Sequence, residues 1–553
     1  MKNFTTILLA AALIGAAALL ISWQDSKYFQ INSSFEIFGD LYKKIANNYV
    51  IDVDPELLME SAIEGMLSSL DPYTVYYTQS DYDELEYMTR GTYVGLGISV
   101  AIMDSMLTIT DIREGYPADK AGLRIGDRIY MMDSTKVLHR KKARLRDFTG
   151  GKAGSRLGIK VLRDGLGDTL RFTLERQEIR IKNVPYSAML KDSIAYIKLD
   201  GFTEGAENEV RKAVYELCKQ RDAKGIILDL RDNPGGLLQA AVEICQLFVP
   251  KNSTIVSTKG RDNVTLFEYR SSIEPMIPDL PLAVLINEGS ASASEVVAGA
   301  IQDLDRGIII GKRSFGKGLV QNVFGLPYDA NLKMTTAKYF TPSGRCIQRI
   351  SFGKKYDEKA VSESPDTSVY YTGNKRPVKE LTGIMPDSIV REKVEEDYFN
   401  NLKRVNYLFK FANIYTAGID SLNDYDINDE ELFNEFLEFI TSAENGIISD
   451  ESLVLEDLIK SSEKRGFSEP TMDLLANTLR ALENEEILLI KKNKNEIITS
   501  LKREIYRRFY NNSQIYQMFL TEDRYVELTL ELLKNNTYMR ILTNTNNTDE
   551  SNY

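Results

Sequence analysis

Three short runs free of polar residues set the strongest limit on what this chain can fold into: Gly225-Ile226-Ile227-Leu228, Leu282-Ala283-Val284-Leu285-Ile286 and Gly307-Ile308-Ile309-Ile310-Gly311. Strands that are apolar on both faces must be covered on both faces, as in parallel sheets flanked by helices. Apolar residues recur at helical spacing over 207–220, 237–248 and 292–304. A further strand at 194–199 precedes this series, and another at 332–340 follows it. The pattern predicts an α/β core with largely parallel pairing.

The flanks read differently. Between 30 and 90, Phe35, Phe38, Leu41, Ile45 and Tyr49 fall on one helical face, as do Leu57, Leu58, Ala62, Met66 and Leu70. Asp54-Pro55 is a good N-cap and first-turn pair for the second helix, and Asp71-Pro72 ends it. From Tyr93 the period shortens to that of small strands at 95–100, 106–110, 158–162 and 170–174, with Gly115-Tyr116-Pro117-Ala118 and Ala121-Gly122-Leu123 between them. After Pro386 the chain turns helical, notably at 429–440, 453–459 and 474–490. Residues 391–553 hold 19 Lys+Arg against 31 Asp+Glu, which is the whole net charge of −12. That imbalance places a boundary near 390 and argues against nucleic-acid binding. An Asn/Thr-rich tail from Thr543 has the composition of a disordered segment.

At the N-terminus, Lys2 precedes an apolar run from Ile7 to Trp23, and Asp25 follows it. As a helix the run rises about 25 Å, at the short limit for a bilayer and slightly long for a signal peptide. With no small-x-small cleavage site just beyond it, an uncleaved anchor is favoured over a removed signal. Either reading exports the rest of the chain. Charge order predicts the N-terminus inside and the remainder outside.

Residue counts narrow the chemistry. Cys218, Cys245 and Cys346 are odd in number and far apart, which argues against a disulfide framework and a metal cluster. His139 is the single histidine. Most His-based zinc sites are thereby excluded, as is a Ser-His-Asp triad unless His139 supplies the base. Flanked by Arg140 and Lys141, His139 reads as a surface residue. No metal or organic cofactor is called for.

Three segments have the residue types that chemistry needs. Asn287-Glu288-Gly289-Ser290-Ala291-Ser292-Ala293-Ser294-Glu295 joins a buried strand to a helix, where a serine hydroxyl sits beside unpaired N–H groups. Locally, Ser292-x-x-Glu295 fits a capping box at least as well. Ser314-Phe315-Gly316-Lys317-Gly318-Leu319-Val320-Gln321 sets a lysine between glycines and apolar neighbours. Burial there favours the neutral amine, which accepts a serine proton, and Gln321 could orient it. The alternative, a phosphate-binding loop, lacks the Gly-x-x-x-x-Gly-Lys-Ser/Thr spacing. Asp229-Leu230-Arg231-Asp232-Asn233-Pro234-Gly235-Gly236 leaves a strand and enters a helix. It is either a source of a second oxyanion donor or a bare turn.

Residues 92–178 resemble a PDZ domain in the order Gly95-Leu96-Gly97-Ile98, strand, Pro117-Ala118, Ala121-Gly122-Leu123, Gly126-Asp127. Together with the serine and lysine segments and the Tyr49-Val50-Ile51-Asp52 region, the chain from about Phe38 to Pro386 resembles the carboxyl-terminal processing peptidases, or tail-specific proteases. The resemblance implies a ClpP/crotonase-like α/β protease core with an inserted small β-rich PDZ domain. An N-terminal helical segment and a C-terminal all-helical domain would flank them. The implied division is 1–24 signal or anchor, 25–91 N-terminal helical region, 92–178 PDZ domain, 179–390 Ser–Lys protease core, 391–542 acidic helical domain and 543–553 tail.

In roles, the resemblance implies Ser292 as nucleophile, Lys317 as general base and Gln321 as its orienting partner. The N–H groups of Gly236 and Ala293 would form the oxyanion hole. Gly95, Leu96, Gly97 and Ile98 would take a peptide's terminal carboxylate, the peptide adding a strand to the sheet edge. Asp303 matches a position sometimes implicated, or simply solvates a helix end. The chain departs from the family where Asp71-Pro72-Tyr73-Thr74 replaces an Asp-Pro-His-Ser turn, and where Gly150 stands in place of a gating arginine. The expected enzyme is a periplasmic-side envelope endopeptidase acting on proteins with apolar C-termini. It would touch the membrane through its N-terminal segment only, bind no nucleic acid, and have self-association open to it. Two other readings stand beside this one: a catalytically silent PDZ scaffold, and an acyl-CoA enzyme with a similar oxyanion arrangement.

Overall fold

The computed structural model of the chain describes residues 27–543 apart from 79–81, 138–149, 167, 350–367, 381, 391–401, 403–405, 420, 423–426 and 443–448. The expected membrane segment, His139 and the tail beyond Thr543 lie outside the described residues. Among the described residues, no helix is long and apolar enough to cross a membrane.

Among the described residues, 27–76 and 323–334 form one compact unit. A helix covers 27–48, and a second, α1 (Pro55–Leu67), begins where Asp54-Pro55 predicts. The Asp54 carboxylate accepts the N–H groups of Glu56 (2.8 Å) and Leu57 (3.4 Å), satisfying donors that a helix start leaves unpaired. Tyr42 donates its hydroxyl to the Pro55 carbonyl at 2.8 Å, fastening the two helices together.

The second unit holds the remainder. Its β-rich part is an antiparallel sheet of β1 (Ile98–Met103), β2 (Met106–Ile112), β3 (Arg128–Met132), β4 (Arg156–Leu162) and β5 (Leu170–Glu175), in that order. Leu96, Ile109, Ile129, Leu157, Ile159 and Val161 fill its core. Strand β1 stands at the edge of this sheet.

The central sheet runs β6 (Tyr186–Met189), β7 (Ile194–Lys198), β8 (Gly225–Asp229), β9 (Leu282–Ile286), β10 (Ile308–Gly311) and β11 (Ser388–Ile389). All its pairings are parallel except that of β6 with β7. Strand alternation sends Ala195, Ile197, Ile226, Leu228, Val284 and Ile309 to one face, against α2 (Ala206–Val214), α3 (Leu238–Gln246) and α4 (Ala293–Asp303). Tyr196, Ile227, Ala283, Leu285, Ile308 and Ile310 point the other way. Each such buried aliphatic side chain stabilises the fold by about 1.5–3 kcal/mol relative to exposure.

That second face is covered from the far end of the chain, by Leu520, Val526, Tyr538 and Leu542. These belong to the segment from Leu520 through α9 (Arg524–Lys534) and α10 (Thr537–Leu542). The rest of the helical region builds a core of its own from α5 (Tyr407–Tyr415), α6 (Asp429–Thr441), α7 (Lys494–Tyr506) and α8 (Asn512–Phe519), with Phe411, Phe436 and Leu501 at its centre. Arg507 reaches from this region to the β-rich sheet, donating to the Thr110 carbonyl at 3.1 Å. A further sheet pairs Thr254–Lys259 with Thr265–Arg270, two strands that apolar patterning did not mark, and with residues 338–340 of the strand predicted at 332–340.

Candidate active site

Strand β9 leaves the sheet through Asn287 and re-enters regular structure at α4, and the turn between them is held by fixed polar contacts. The Asn287 side chain accepts the Asp232 N–H (2.8 Å) and donates to the Asp232 carboxylate (2.9 Å). Ser290 donates to the Leu230 carbonyl at 2.7 Å. The Asn233 carbonyl accepts both the Ala291 N–H (3.0 Å) and the Ser294 hydroxyl (2.9 Å). The loops after β8 and β9 are therefore sewn together.

Ser292 stands at the end of this turn with φ 56° and ψ −112°, a conformation that costs a side-chain-bearing residue energy and that strained nucleophile turns adopt. Of the capping arrangement predicted from Ser-x-x-Glu, the Glu295 arm is present, its carboxylate accepting the Ser292 N–H, while the hydroxyl makes no side-chain cap hydrogen bond. The Glu295 N–H goes to the Ser292 carbonyl at 2.9 Å.

Gly235 lies directly against this turn, and Gly236 follows it against Phe202. A Cβ on Gly235 (φ +100°) would sit 2.7 Å from the Ala291 oxygen and 2.9 Å from Ser292 Cβ, so only glycine permits the approach. Gly236 (φ +151°) comes equally close to the Phe202 carbonyl. Neither the Gly236 N–H nor the Ala293 N–H donates to another group among the described residues. Among the described residues both N–H groups are thus open, the Ala293 one directly following the serine, and open donors of this kind are what an oxyanion site requires.

Lys317 is brought to the same place through Glu295. That carboxylate, fully buried, accepts the N–H of Ser292 (2.8 Å), the N–H groups of Gly316 (2.7 Å) and Lys317 (2.8 Å), and the Ser314 hydroxyl (2.5 Å). Burial raises its pKa to about 7, and the four donors limit the rise. The Lys317 carbonyl accepts the Tyr339 hydroxyl, and the Phe315 N–H donates to Ser290 at 3.0 Å. Lys317 and Ser292 are both half-buried. Gln321 donates its amide to Thr335 at 3.2 Å.

Gly95 closes a strand paired with Gln177–Arg180, and Leu96 enters the β-rich core. Gly97 turns with φ +79°, and Ile98 opens the edge strand β1. Asp303 has a structural place: its carboxylate pairs with the fully buried Arg345 at 2.8 Å and accepts the Ser343 N–H.

Two features escaped the sequence reading. Glu295 was visible only as a cap partner, although Ser-x-x-Glu was the available signal. The second is the buried Asp229, which accepts from Arg231 (2.6 Å) and from the Tyr196 hydroxyl (2.6 Å). Burial alone would push its pKa up, but Arg231 and Lys198 hold it well below the usual carboxylate range.

Comparison with known proteins places the chain among described families. Family models match residues 193–359 (peptidase family S41), 94–175 (PDZ domain), 398–533 (probable PDZ-protease, C-terminal helical domain) and 17–80 (activating protease CtpB N-terminal domain). A carboxy-terminal-processing protease of Bartonella bacilliformis is 35% identical over 62% of this chain and 78% of its own length. A carboxyl-terminal-processing protease of Synechocystis is 38% identical over 52% and 68% respectively. The carboxy-terminal processing protease CtpB of Bacillus subtilis is 32% identical over 67% and 74%.

Proposed function

The chain belongs to the carboxyl-terminal processing proteases of peptidase family S41, and from that premise we propose a serine endopeptidase working through Ser292 and Lys317. The hydroxyl of Ser292 attacks the scissile carbonyl carbon while its proton passes to the neutral amine of Lys317. The oxyanion takes the N–H groups of Gly236 and Ala293. Lys317 then returns the proton to the leaving amine, giving an acyl-enzyme, and a water deprotonated by the same amine hydrolyses the ester. Gln321 serves as the orienting neighbour of the base.

One observation carries this reading. The Glu295 carboxylate binds the backbone of both Ser292 and Lys317, so a single buried anchor fixes nucleophile turn and base loop in one register. A helix cap alone would have no use for the second tie. The edge strand β1, entered through Gly95 to Ile98, supports recognition of an apolar polypeptide C-terminus by strand addition. The proposed location is the cell envelope, periplasmic side, with the N-terminal segment as anchor.

The decisive measurement is hydrolysis of peptides with apolar C-termini by Ser292→Ala and Lys317→Ala proteins that unfold as the parent does. Both are expected to lose turnover completely. Full turnover in Lys317→Ala would reject the dyad, and peptide binding without cleavage by the parent would reassign the chain as a scaffold. New substrate C-termini in envelope fractions of cells carrying Ser292→Ala would test the location.

A further inference from the structure

Between Arg231 and Gly236 the chain is fastened at nearly every residue. The Arg231 carbonyl accepts Lys198 Nζ at 2.5 Å, and the buried Asn233 amide donates to Leu199 at 2.7 Å. Gly235 donates to the Asn233 side chain at 2.9 Å. These partners all come from the protease core. The Arg231 guanidinium is different. Its Nε and one Nη go to Asp229, while the other Nη binds Asp523 at 2.9 Å, across 292 residues of sequence. The guanidinium also lies over the Tyr525 ring, 4.7 Å from its centroid.

Asp523 is itself held firmly. Its carboxylate caps α9, accepting the N–H groups of Tyr525 (2.9 Å) and Val526 (3.3 Å). Val526 and Leu520 on either side are buried against the central sheet. The Arg231 and Asp523 side chains are only 15% and 17% exposed, so the pair is partly shielded from solvent screening. Arg231 thus has one end of its fork on the core and the other on the C-terminal helices, a planar two-sided grip that a lysine could not reproduce.

We propose that Asp523 is a positioning residue for peptide hydrolysis: by clamping Arg231 it fixes the segment that presents the Gly236 N–H to the oxyanion. The proposal rests on the peptidase reading above. It gives the C-terminal helical domain a part in transition-state stabilisation without any contact with substrate.

The test uses the full-length protein, a fluorogenic peptide with an apolar C-terminus, and a fluorophosphonate that labels the active serine. Asp523→Ser keeps a helix cap but is too short to reach Arg231. It is expected to lower kcat about tenfold or more, since small displacements of catalytic groups have large effects. KM should stay within about twofold, and fluorophosphonate labelling should slow in parallel. Asp523→Asn, which keeps the cap and a neutral hydrogen bond, should fall between parent and Asp523→Ser. A kcat within about twofold of the parent in Asp523→Ser, or a change in KM alone, overturns the proposal.

Should Asp523→Ser unfold, Asp523→Asn, Arg231→Lys and their double variant give a second route, because two residues on one path do not lose activity additively. Additive losses there also overturn it. A parent protein that neither cleaves peptide nor takes the label removes the peptidase reading, and this proposal with it. An active parent matched by its variants removes this proposal alone.

Discussion

Asp229 and Glu295 are both carboxylates shut away from water beside the same pair of loops, and their surroundings push them in opposite directions. Asp229 faces cations, Arg231 and Lys198, and stays ionised at any ordinary pH. Glu295 faces neutral donors, three N–H groups and a hydroxyl, and its pKa rises to about 7. Full charges overcome the desolvation of a carboxylate, whereas dipoles of this number only limit it. The first arrangement is built for permanence. The second ties a proton-sensitive group to the backbone of both Ser292 and Lys317.

The contrast can be broken from either side. The largest effect is expected from Asp229→Ala, which strips most of the Arg231 fork of its partner and leaves Lys198 to Asp200 and the Arg231 carbonyl. Removing one member of a buried charge network costs about 3–5 kcal/mol, so the denaturant midpoint should fall steeply. A loss under about 1 kcal/mol would show that Asp523 alone neutralises Arg231.

Next comes the dependence of stability on pH. Glu295 binds its proton more tightly folded than unfolded. Its contribution is therefore complete below about 4.5, the unfolded value, and is lost as pH rises through about 7. On that account alone stability should drop by on the order of 3 kcal/mol across the window, and Glu295→Gln should flatten the slope there. Asp229 acts with the reverse sign: its contribution is present above the usual aspartate range and disappears only in strong acid.

A third experiment sharpens the functional side. Only the ionised Glu295 can accept all four donors, so kcat/KM should rise with an acid limb near pH 7. Glu295→Gln should lower activity and lose that limb. An unchanged pH profile would separate Glu295 from the catalytic alignment. The smallest effect should follow Tyr196→Phe, which removes one hydrogen bond to Asp229 and should cost about 1 kcal/mol with no change in the pH profile.

The uneven legibility of the sequence has the same physical root. Continuous apolar runs at 225–228, 282–286 and 307–311 announce strands covered on both sides, and the structure pairs them in parallel. The Gly235-Gly236, Ser292 and Lys317 segments were readable because tight turns and close approaches demand particular residue types. What remained hidden was partnership. The chain after Pro386 reads as helical, but nothing in it says that the helix at 524–534 lies on the central sheet. Similarly, Asp229 and Arg231 are two residues apart in a charged motif, with nothing local to announce Asp523. Asp303 misled for a related reason, because its buried partner Arg345 sits beyond the next sheet elements.

The covering of the central sheet also orders events in time. Synthesis delivers the strands, the serine turn and the lysine loop well before the residues around Val526 and Tyr538 that shield the sheet's second face. A nascent chain therefore carries Ser292 and Lys317 while one side of their framework is still bare. Covering that side falls to the helices made last, so the sheet that carries Ser292 is closed on both faces only when the chain reaches Leu542.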